Sequence, residues 1–122
     1  MRRKIAAANW KMNLSWTEGD ALLNQLVDQQ AGLTPTQQVI VAVPFPYLTL
    51  AKKIVDSTPG FTIAAQNCHH KEVGAYTGEV SAMMLHSLDI RYCIVGHSER
   101  REYQAETNAQ LAEKCNIAFP TQ

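Results

Sequence analysis

Runs of apolar, β-type residues alternate with segments of helical spacing four times along this chain of 122 residues. The runs cover residues 4–8, 39–43, 61–65 and 92–95. The second run is unbroken and mainly β-branched, which is typical of a strand buried on both faces of a parallel sheet. Strands that alternate with helices predict an α/β fold with right-handed crossovers. The chain contains no linker or low-complexity stretch, so we predict one domain over residues 1–122.

Helix-start signals precede three of the helical segments. Ser15-Trp16-Thr17-Glu18 and Thr107-x-x-Gln110 have the capping-box pattern, in which the first and fourth side chains satisfy each other's backbone amides. Ser81 is a candidate N-cap for a helix that reaches Leu88. Apolar residues at helical spacing then occur at Leu22, Leu23, Leu26 and Val27, at Leu48, Ala51, Ile54 and Val55, and at Leu111, Ala112 and Cys115.

Two architectures are consistent with this alternation, and the spacing does not choose between them. One is an open, doubly wound sheet of the flavodoxin type, which would be complete at about this length. The other is part of a (β/α)₈ barrel. In both architectures ligands bind beyond the carboxyl ends of the parallel strands, so the residues that follow each strand are the candidates for a functional site.

Charge and cysteine content exclude several classes of function. The chain has 11 basic and 11 acidic residues and no basic stripe, so we expect no nucleic-acid partner. The apolar run behind Met1-Arg2-Arg3-Lys4 is too short for a signal peptide, and no segment approaches the length of a membrane span. Three widely spaced cysteines favour free thiols in a reducing cytoplasm. Adjacent side chains of Cys68-His69-His70 would point apart, so we predict no metal site there.

Polar residues follow the first and fourth predicted strands. Lys11 is a compact cation suited to an anionic substrate, and Asn9 could donate an amide hydrogen. His97 opens a helical segment, where the positive dipole end disfavours imidazolium, so a neutral ring could donate to a carbonyl oxygen that gains charge. Glu99 is a candidate partner for the Lys11 ammonium. The plainer alternatives are a solvated Lys11, a capping or packing His97, and a solvated helical face over residues 98–102.

Four strings resemble signature segments of the triosephosphate isomerase family, in the family's order and spacing. They are N-W-K-M-N at residues 9–13, A-Q-N-C at 65–68, G-A-Y-T-G-E at 74–79 and V-G-H-S-E-R-R at 95–101. The resemblance extends over about residues 4–117. It implies the first four βα units of a (β/α)₈ barrel, that is, an N-terminal half barrel. It also implies an isomerase that interconverts dihydroxyacetone phosphate and glyceraldehyde 3-phosphate through an enediolate.

The resemblance further implies roles for individual residues. The residues matching Asn9 and Lys11 contact the substrate, and the lysine stabilises the negative charge of substrate and enediolate. The residue matching His97 is the neutral electrophile that polarises the carbonyl group. Ser98 and Glu99 support the site, the glutamate by pairing with the lysine.

The resemblance also implies a homodimer. Thr77 is carried by a loop that inserts into the partner subunit beside its active site, and Glu79 and Arg100 match residues of that interface. No metal or organic cofactor is implied, and the expected setting is glycolysis and gluconeogenesis in the cytoplasm.

Several features of the family are absent from these 122 residues. A complete barrel takes roughly 250 residues, and the A-Y-E-P-V-W string with the catalytic glutamate, the lid behind it and the glycine-rich phosphate-binding turns do not occur. The sequence departs from the family after Ile117, at Ala8, where glycine is usual, and at Gln104-Ala105. We therefore expect a truncated chain with negligible isomerase activity on its own. The alternatives are a non-catalytic half barrel that self-associates and an unrelated half barrel that binds a phosphosugar.

Overall fold

The computed structural model describes residues 2–29 and 32–118. The strands are β1 (Lys4–Asn9), β2 (Gln37–Val43), β3 (Phe61–Ala65) and β4 (Tyr92–Cys93). The α-helices are α1 (Trp16–Gln29), α2 (Leu48–Val55), α3 (Ala82–Ser87), α4 (Ser98–Tyr103) and α5 (Asn108–Ala118), and a single 3₁₀ turn, Phe45–Tyr47, precedes α2. The predicted departure from the family after Ile117 lies, from residue 119 onward, outside the described residues.

The described residues form two compact units, one that ends at Ala64 and one that begins at Ala65. In the first unit, β1 pairs in parallel with β2 from Lys4↔Gln37 to Asn9↔Ala42. The amide of Val39 in β2 donates to the carbonyl of Gly60, directly before β3, at 2.8 Å. The core of this unit contains Leu23, Val41, Val43, Ala51 and Val55, all almost fully buried. The side chains of β1, by contrast, are exposed up to Ala8.

Local sequence signals explain where the first helix begins. The Ser15 hydroxyl accepts from the Glu18 amide at 3.3 Å, and the Glu18 carboxylate accepts from the Ser15 amide at 3.1 Å, which confirms the predicted capping box. A β-carbon at Gly19 would lie 3.0 Å from the Trp10 ring. Glycine therefore lets α1 pack closely against the buried indole.

The second unit begins at the last residue of β3. The Ile94 amide donates to the Ala65 carbonyl at 2.9 Å, so β4 is joined to the end of β3. Among the described residues of this unit, the buried apolar ones are Ala65, Cys68, Leu85, Ile90 and Leu111. Ser81 caps α3 as predicted, because its hydroxyl accepts from the Met84 amide at 3.2 Å.

The start of α5 also follows the prediction. The Thr107 hydroxyl accepts from the Gln110 amide at 3.2 Å, and the Gln110 side-chain oxygen accepts from the Thr107 amide at 3.1 Å. The residues that α5 buries are Leu111 and Lys114, whereas Ala112 and Cys115 are exposed. The predicted apolar stripe is therefore wrong beyond Leu111, and a charged residue takes its place.

The strand order in the sheet is β1-β2-β3-β4, which is also the order along the chain. A doubly wound sheet reverses its order at a switch point, and no such reversal occurs among the described strands. The order and the helix after each strand are those of the first four βα units of a (β/α)₈ barrel, as predicted. Strand β4 is shorter than the predicted residues 92–95. The prediction of one domain stays a prediction.

Candidate functional site

The turn after β1 holds the predicted lysine in an unusual backbone conformation. Lys11 has a φ of 56°, in the left-handed region that residues with a β-carbon rarely adopt. The Asn9 side-chain oxygen accepts from the Lys11 amide at 2.9 Å and so closes a local turn that satisfies this backbone. Trp10 is buried, and its amide donates to the Ala42 carbonyl at 3.0 Å. These contacts fix where the Lys11 side chain leaves the backbone.

The same hydrogen bond orients the Asn9 amide group. Its oxygen faces the backbone of Lys11, so the NH₂ group is the end of the side chain that this turn does not engage. Asn9 is half-buried and Lys11 is exposed. The prediction that Asn9 could present a hydrogen-bond donor beside the lysine agrees with this orientation.

The turn after β4 places His97 at the start of α4. The His97 Nδ1 atom accepts from the Glu99 amide at 3.1 Å. Because a backbone N–H can only donate, Nδ1 carries no proton in this arrangement, and the neutral ring has its proton on Nε2. His97 is thus the N-cap of α4, which agrees with its predicted place at the start of a helical segment, and Nε2 of its neutral ring is a donor.

A glycine directly before His97 lets helix α5 pack closely against the chain at this point. Gly96 has a φ of 74°, and a β-carbon there would lie 3.0 Å from one δ-carbon of Leu111. Helix α5 therefore packs directly against the residue before His97. The neighbouring Ser98 is exposed and Glu99 is half-buried.

A buried cluster of charged residues lies behind α4. Glu106 Oε2 accepts from the Lys114 ammonium and, at 2.7 Å, from Arg100 Nε. Lys114 also donates to the side-chain oxygen of Asn67 at 2.7 Å. The side chains of Glu106 and Lys114 are each 4% exposed, and that of Arg100 is 31% exposed. We call Asn67, Arg100, Glu106 and Lys114 the Glu106 cluster.

Burial and pairing act in opposite directions on the central carboxyl group. Burial by itself raises the pKa of Glu106, but hydrogen bonds from Lys114 and Arg100 and their positive charges outweigh it, so the pKa lies below its ordinary value. Sequence reasoning missed this cluster. One signal could have found it: Lys114 is three residues after Leu111 and hence on the same face of α5.

Cys68, which is buried, and Cys93, which is half-buried, form a second pair in this unit. The hydrogen bond from Cys93 outweighs burial and, with the charge of Lys114, lowers the pKa of the Cys68 thiol to about 7. The same contact and burial raise the pKa of Cys93. All three cysteines are free thiols, as their spacing predicts.

The loop predicted to reach a partner subunit is exposed at Thr77 and Glu79. Glu79 lies 3.6 Å from Nδ1 of His69, and the Tyr76 ring packs at 4.5 Å on the His69 ring. The His69 and His70 rings are 4.3 Å apart, so the expectation that adjacent side chains point apart is wrong for this pair. Arg100, the third predicted interface residue, binds Glu106 within its own chain.

The predicted site residues fall into both units. Asn9 and Lys11 lie at one turn of the first unit, and His97, Ser98 and Glu99 lie at one turn of the second. Each turn follows the carboxyl end of a strand, where ligands bind in parallel α/β folds. The pairing of Glu99 with Lys11 stays a prediction.

Comparison with known proteins identifies the family. The sequence model described as "Triosephosphate isomerase" matches residues 4–122 of this chain. The chain belongs to the triosephosphate isomerase family. The predicted resemblance is therefore confirmed, and the matched range includes every predicted site residue.

Curated triosephosphate isomerases from bacteria show the same relationship. The chain is 48% identical over 119 residues to the one from Porphyromonas gingivalis, an alignment that covers 98% of this chain and 47% of the relative. It is 42% identical over 120 residues to the one from Cytophaga hutchinsonii, with the same two shares, and 40% identical over 119 residues to that from Dictyoglomus turgidum. The chain spans about half the length of the curated relatives it matches.

The helices are short beside the roughly 20 apolar residues that span a bilayer. Within residues 2–29 and 32–118, none combines the length and the apolar character that crossing a membrane requires.

Proposed function

We propose that this chain provides the electrostatic part of a triosephosphate isomerase site. The reaction interconverts dihydroxyacetone phosphate and D-glyceraldehyde 3-phosphate by proton transfer through an enediolate, a step of glycolysis and gluconeogenesis. The observation that carries the proposal is the hydrogen bond from the Glu99 amide to His97 Nδ1, which leaves a donor on Nε2 of a neutral ring. Membership of the family supports it.

The reaction needs a hydrogen-bond donor at this position. When a base removes a proton from the carbon beside a carbonyl group, negative charge develops on the carbonyl oxygen. A fixed N–H donor stabilises that charge more than it stabilises the neutral carbonyl, and so lowers the barrier. Nε2 of His97 is our proposed donor.

Lys11 and Asn9 have complementary proposed roles. The Lys11 ammonium attracts the anionic substrate and stabilises the enediolate, and the NH₂ group of Asn9 donates to the substrate. Ser98 and Glu99 support this arrangement. The substrate is a triose phosphate, and the proposed mechanism uses no cofactor or metal.

Proton abstraction also needs a positioned base. In the family the base is the glutamate of an A-Y-E-P-V-W segment, a string that these 122 residues do not contain. A polypeptide of these residues alone should therefore turn over substrate at a negligible rate. Its proposed activity depends on the part of the family's sequence that lies beyond the matched half.

We also propose that the protein forms a homodimer, with Thr77, Glu79 and Arg100 at the interface, and that it is located in the cytoplasm. The exposure of Thr77 and Glu79 supports their place in an interface. The three free thiols suit a reducing compartment.

A chimera tests the assignment of the site. The matched residues of this chain replace the corresponding segment of the Porphyromonas gingivalis enzyme, and a coupled assay measures turnover of glyceraldehyde 3-phosphate. His97→Gln should lower kcat by about 10²- to 10³-fold, the usual cost of one donor to a developing oxyanion. Lys11→Met should lower kcat/KM by a similar order.

Matched controls make the result specific. His86→Gln and Lys53→Met change exposed residues of the same types on α3 and α2 and should leave turnover within about twofold. A chimera that folds, turns over substrate and tolerates His97→Gln would rule out the proposed role of His97.

One observation favours a second candidate function, a non-catalytic half barrel that self-associates. The side chains of β1 from Lys4 to Ala8 are exposed, including Ile5 at 53%, although β2 beside it is buried from Ile40 to Val43. A strand of this kind can pair with another chain. Light scattering on the 122-residue chain at micromolar concentration tests this second candidate function, because a clean monomer would contradict self-association.

A further inference from the structure

Helix α4 has few stabilising interactions of its own. It is six residues long and contains no buried residue. So short a helix is unstable alone, because nucleation of a helix is costly and few hydrogen bonds follow it. Yet α4 carries the amide that fixes the ring of His97. Something outside the helix must therefore hold it.

The Glu106 cluster provides that support. Arg100, in the first turn of α4, donates through its amide to the His97 carbonyl at 2.9 Å and through Nε to Glu106 at 2.7 Å. The chain reverses at Ala105, which has a φ of 54°, and this reversal returns Glu106 to the side chain of Arg100. Arg100 is thus held by its backbone on one side and its guanidinium on the other.

Lys114 fixes the carboxylate that holds Arg100. It lies on α5, is almost fully buried, and bridges Glu106 to the side chain of Asn67, two residues after β3. The Glu106 carboxylate is held between two cationic partners, and removal of Lys114 deletes one of the two groups that fix its position. A chain of contacts therefore runs from α5 through Glu106 and Arg100 to His97.

We propose that Lys114 is a positioning residue for His97. It acts through Glu106 and Arg100 and contacts no substrate. The inference rests on the proposed role of His97, but its test measures a hydrogen bond of that residue and not turnover.

The test is amide hydrogen exchange, measured by NMR on the 122-residue chain and its Lys114→Met variant. The Glu99 amide reports the bond to His97 Nδ1, and the Met84 amide, capped by Ser81 at 3.2 Å, reports the rest of the unit. Lys114→Met should accelerate exchange at Glu99 by about tenfold, the scale of one hydrogen bond, with a much smaller change at Met84. In the same variant, the ¹⁵N chemical shifts of the His97 ring should move from values typical of the Nε2–H tautomer toward those of a mixture of the two tautomers.

Equal acceleration at Glu99 and Met84 in a folded variant would overturn the proposal, because a general loss of stability would then explain the effect. Unchanged exchange at Glu99 would also overturn it. If Lys114→Met does not fold, a comparison of Arg100→Met with Arg101→Met tests the same pathway. Both arginines lie on α4, but Arg100 binds Glu106 whereas Arg101 binds Asn108. Only Arg100→Met should accelerate Glu99, and equal effects of the two would refute the pathway through Glu106.

If His97 were not catalytic, this exchange pattern would persist while the chimera tolerated His97→Gln. Failure of the positioning role and failure of the proposed function are therefore distinguishable.

Discussion

Replacement of Glu106 by glutamine should produce a loss of stability that depends on pH. Glu106→Gln keeps the size of the side chain and an oxygen acceptor but removes the negative charge between Lys114 and Arg100. The Lys114 ammonium, 4% exposed, then retains only the oxygens of amide side chains as acceptors. A buried charge that loses its partner is costly, so the variant should be clearly less stable at neutral pH.

The burial of the cluster sets the magnitude. Breaking a buried ion pair from one side costs about 3–5 kcal/mol. Because glutamine still accepts one hydrogen bond, we expect about 3 kcal/mol, or a factor of about 10² in the unfolding equilibrium constant. Glu102→Gln, an exposed change on α4, is the matched control and should shift stability by less than about 0.5 kcal/mol.

The sign of the pH dependence follows from the depressed pKa of Glu106. Its stabilising contribution is fully present above the pKa of an unfolded glutamate, about 4.3, and is lost as the pH falls through the lower pKa of the folded state. The variant has no carboxyl group at this position. The gap in stability between the natural chain and Glu106→Gln should therefore be constant near neutral pH and shrink in acid.

Urea unfolding followed by far-ultraviolet circular dichroism measures this gap. Tryptophan fluorescence is the companion probe for the first unit, because Trp10 and Trp16 are the only tryptophans of the chain. A variant as stable as the natural chain at neutral pH would refute the reasoning. So would a gap that stays the same in acid.

Two further predictions concern the second unit. Cys93→Ala should raise the pKa of Cys68 from about 7 to above its ordinary value, since burial then outweighs the remaining opposing charge of Lys114. A titration of thiolate absorbance measures this, and an unchanged pKa would contradict it. Gly96→Ala should cost about 1 kcal/mol more than Gly78→Ala in urea unfolding, because both glycines have positive φ but only at the first would the new β-carbon lie 3.0 Å from a δ-carbon of Leu111. Equal costs would show that the Leu111 side chain moves aside freely.

Features that depend on neighbours in sequence were predictable. The capping boxes at Ser15 and Thr107 and the cap at Ser81 involve groups only three residues apart, so the pattern of residue types contains the whole interaction. The same holds for the alternation of strands and helices. The position of His97 at the start of α4 was predictable for this reason too.

Features that depend on distant partners were not. Lys114 reaches Asn67, which lies 47 residues earlier, and a sequence pattern does not show that a lysine has such a partner. The plain interpretation of residues 98–102 as a solvated face is wrong for Arg100, which binds the buried Glu106. The predicted apolar stripe of α5 failed for the same reason, because Lys114 is buried with a carboxylate partner outside the helix, which a helical pattern does not show.

The turn at Asn9 has a consequence for how mutational data on this family half should be interpreted. One side chain does two jobs: its oxygen stabilises the left-handed backbone of Lys11, and its NH₂ group is our proposed donor to substrate. An alanine at position 9 removes both at once, so a loss of affinity after that change cannot be assigned to either. Aspartate retains the acceptor and deletes the donor, but it also adds a negative charge beside the lysine, so neither variant separates the two jobs. An alanine scan across residues 9–11 would therefore credit Asn9 with energy that belongs to the placement of the neighbouring lysine.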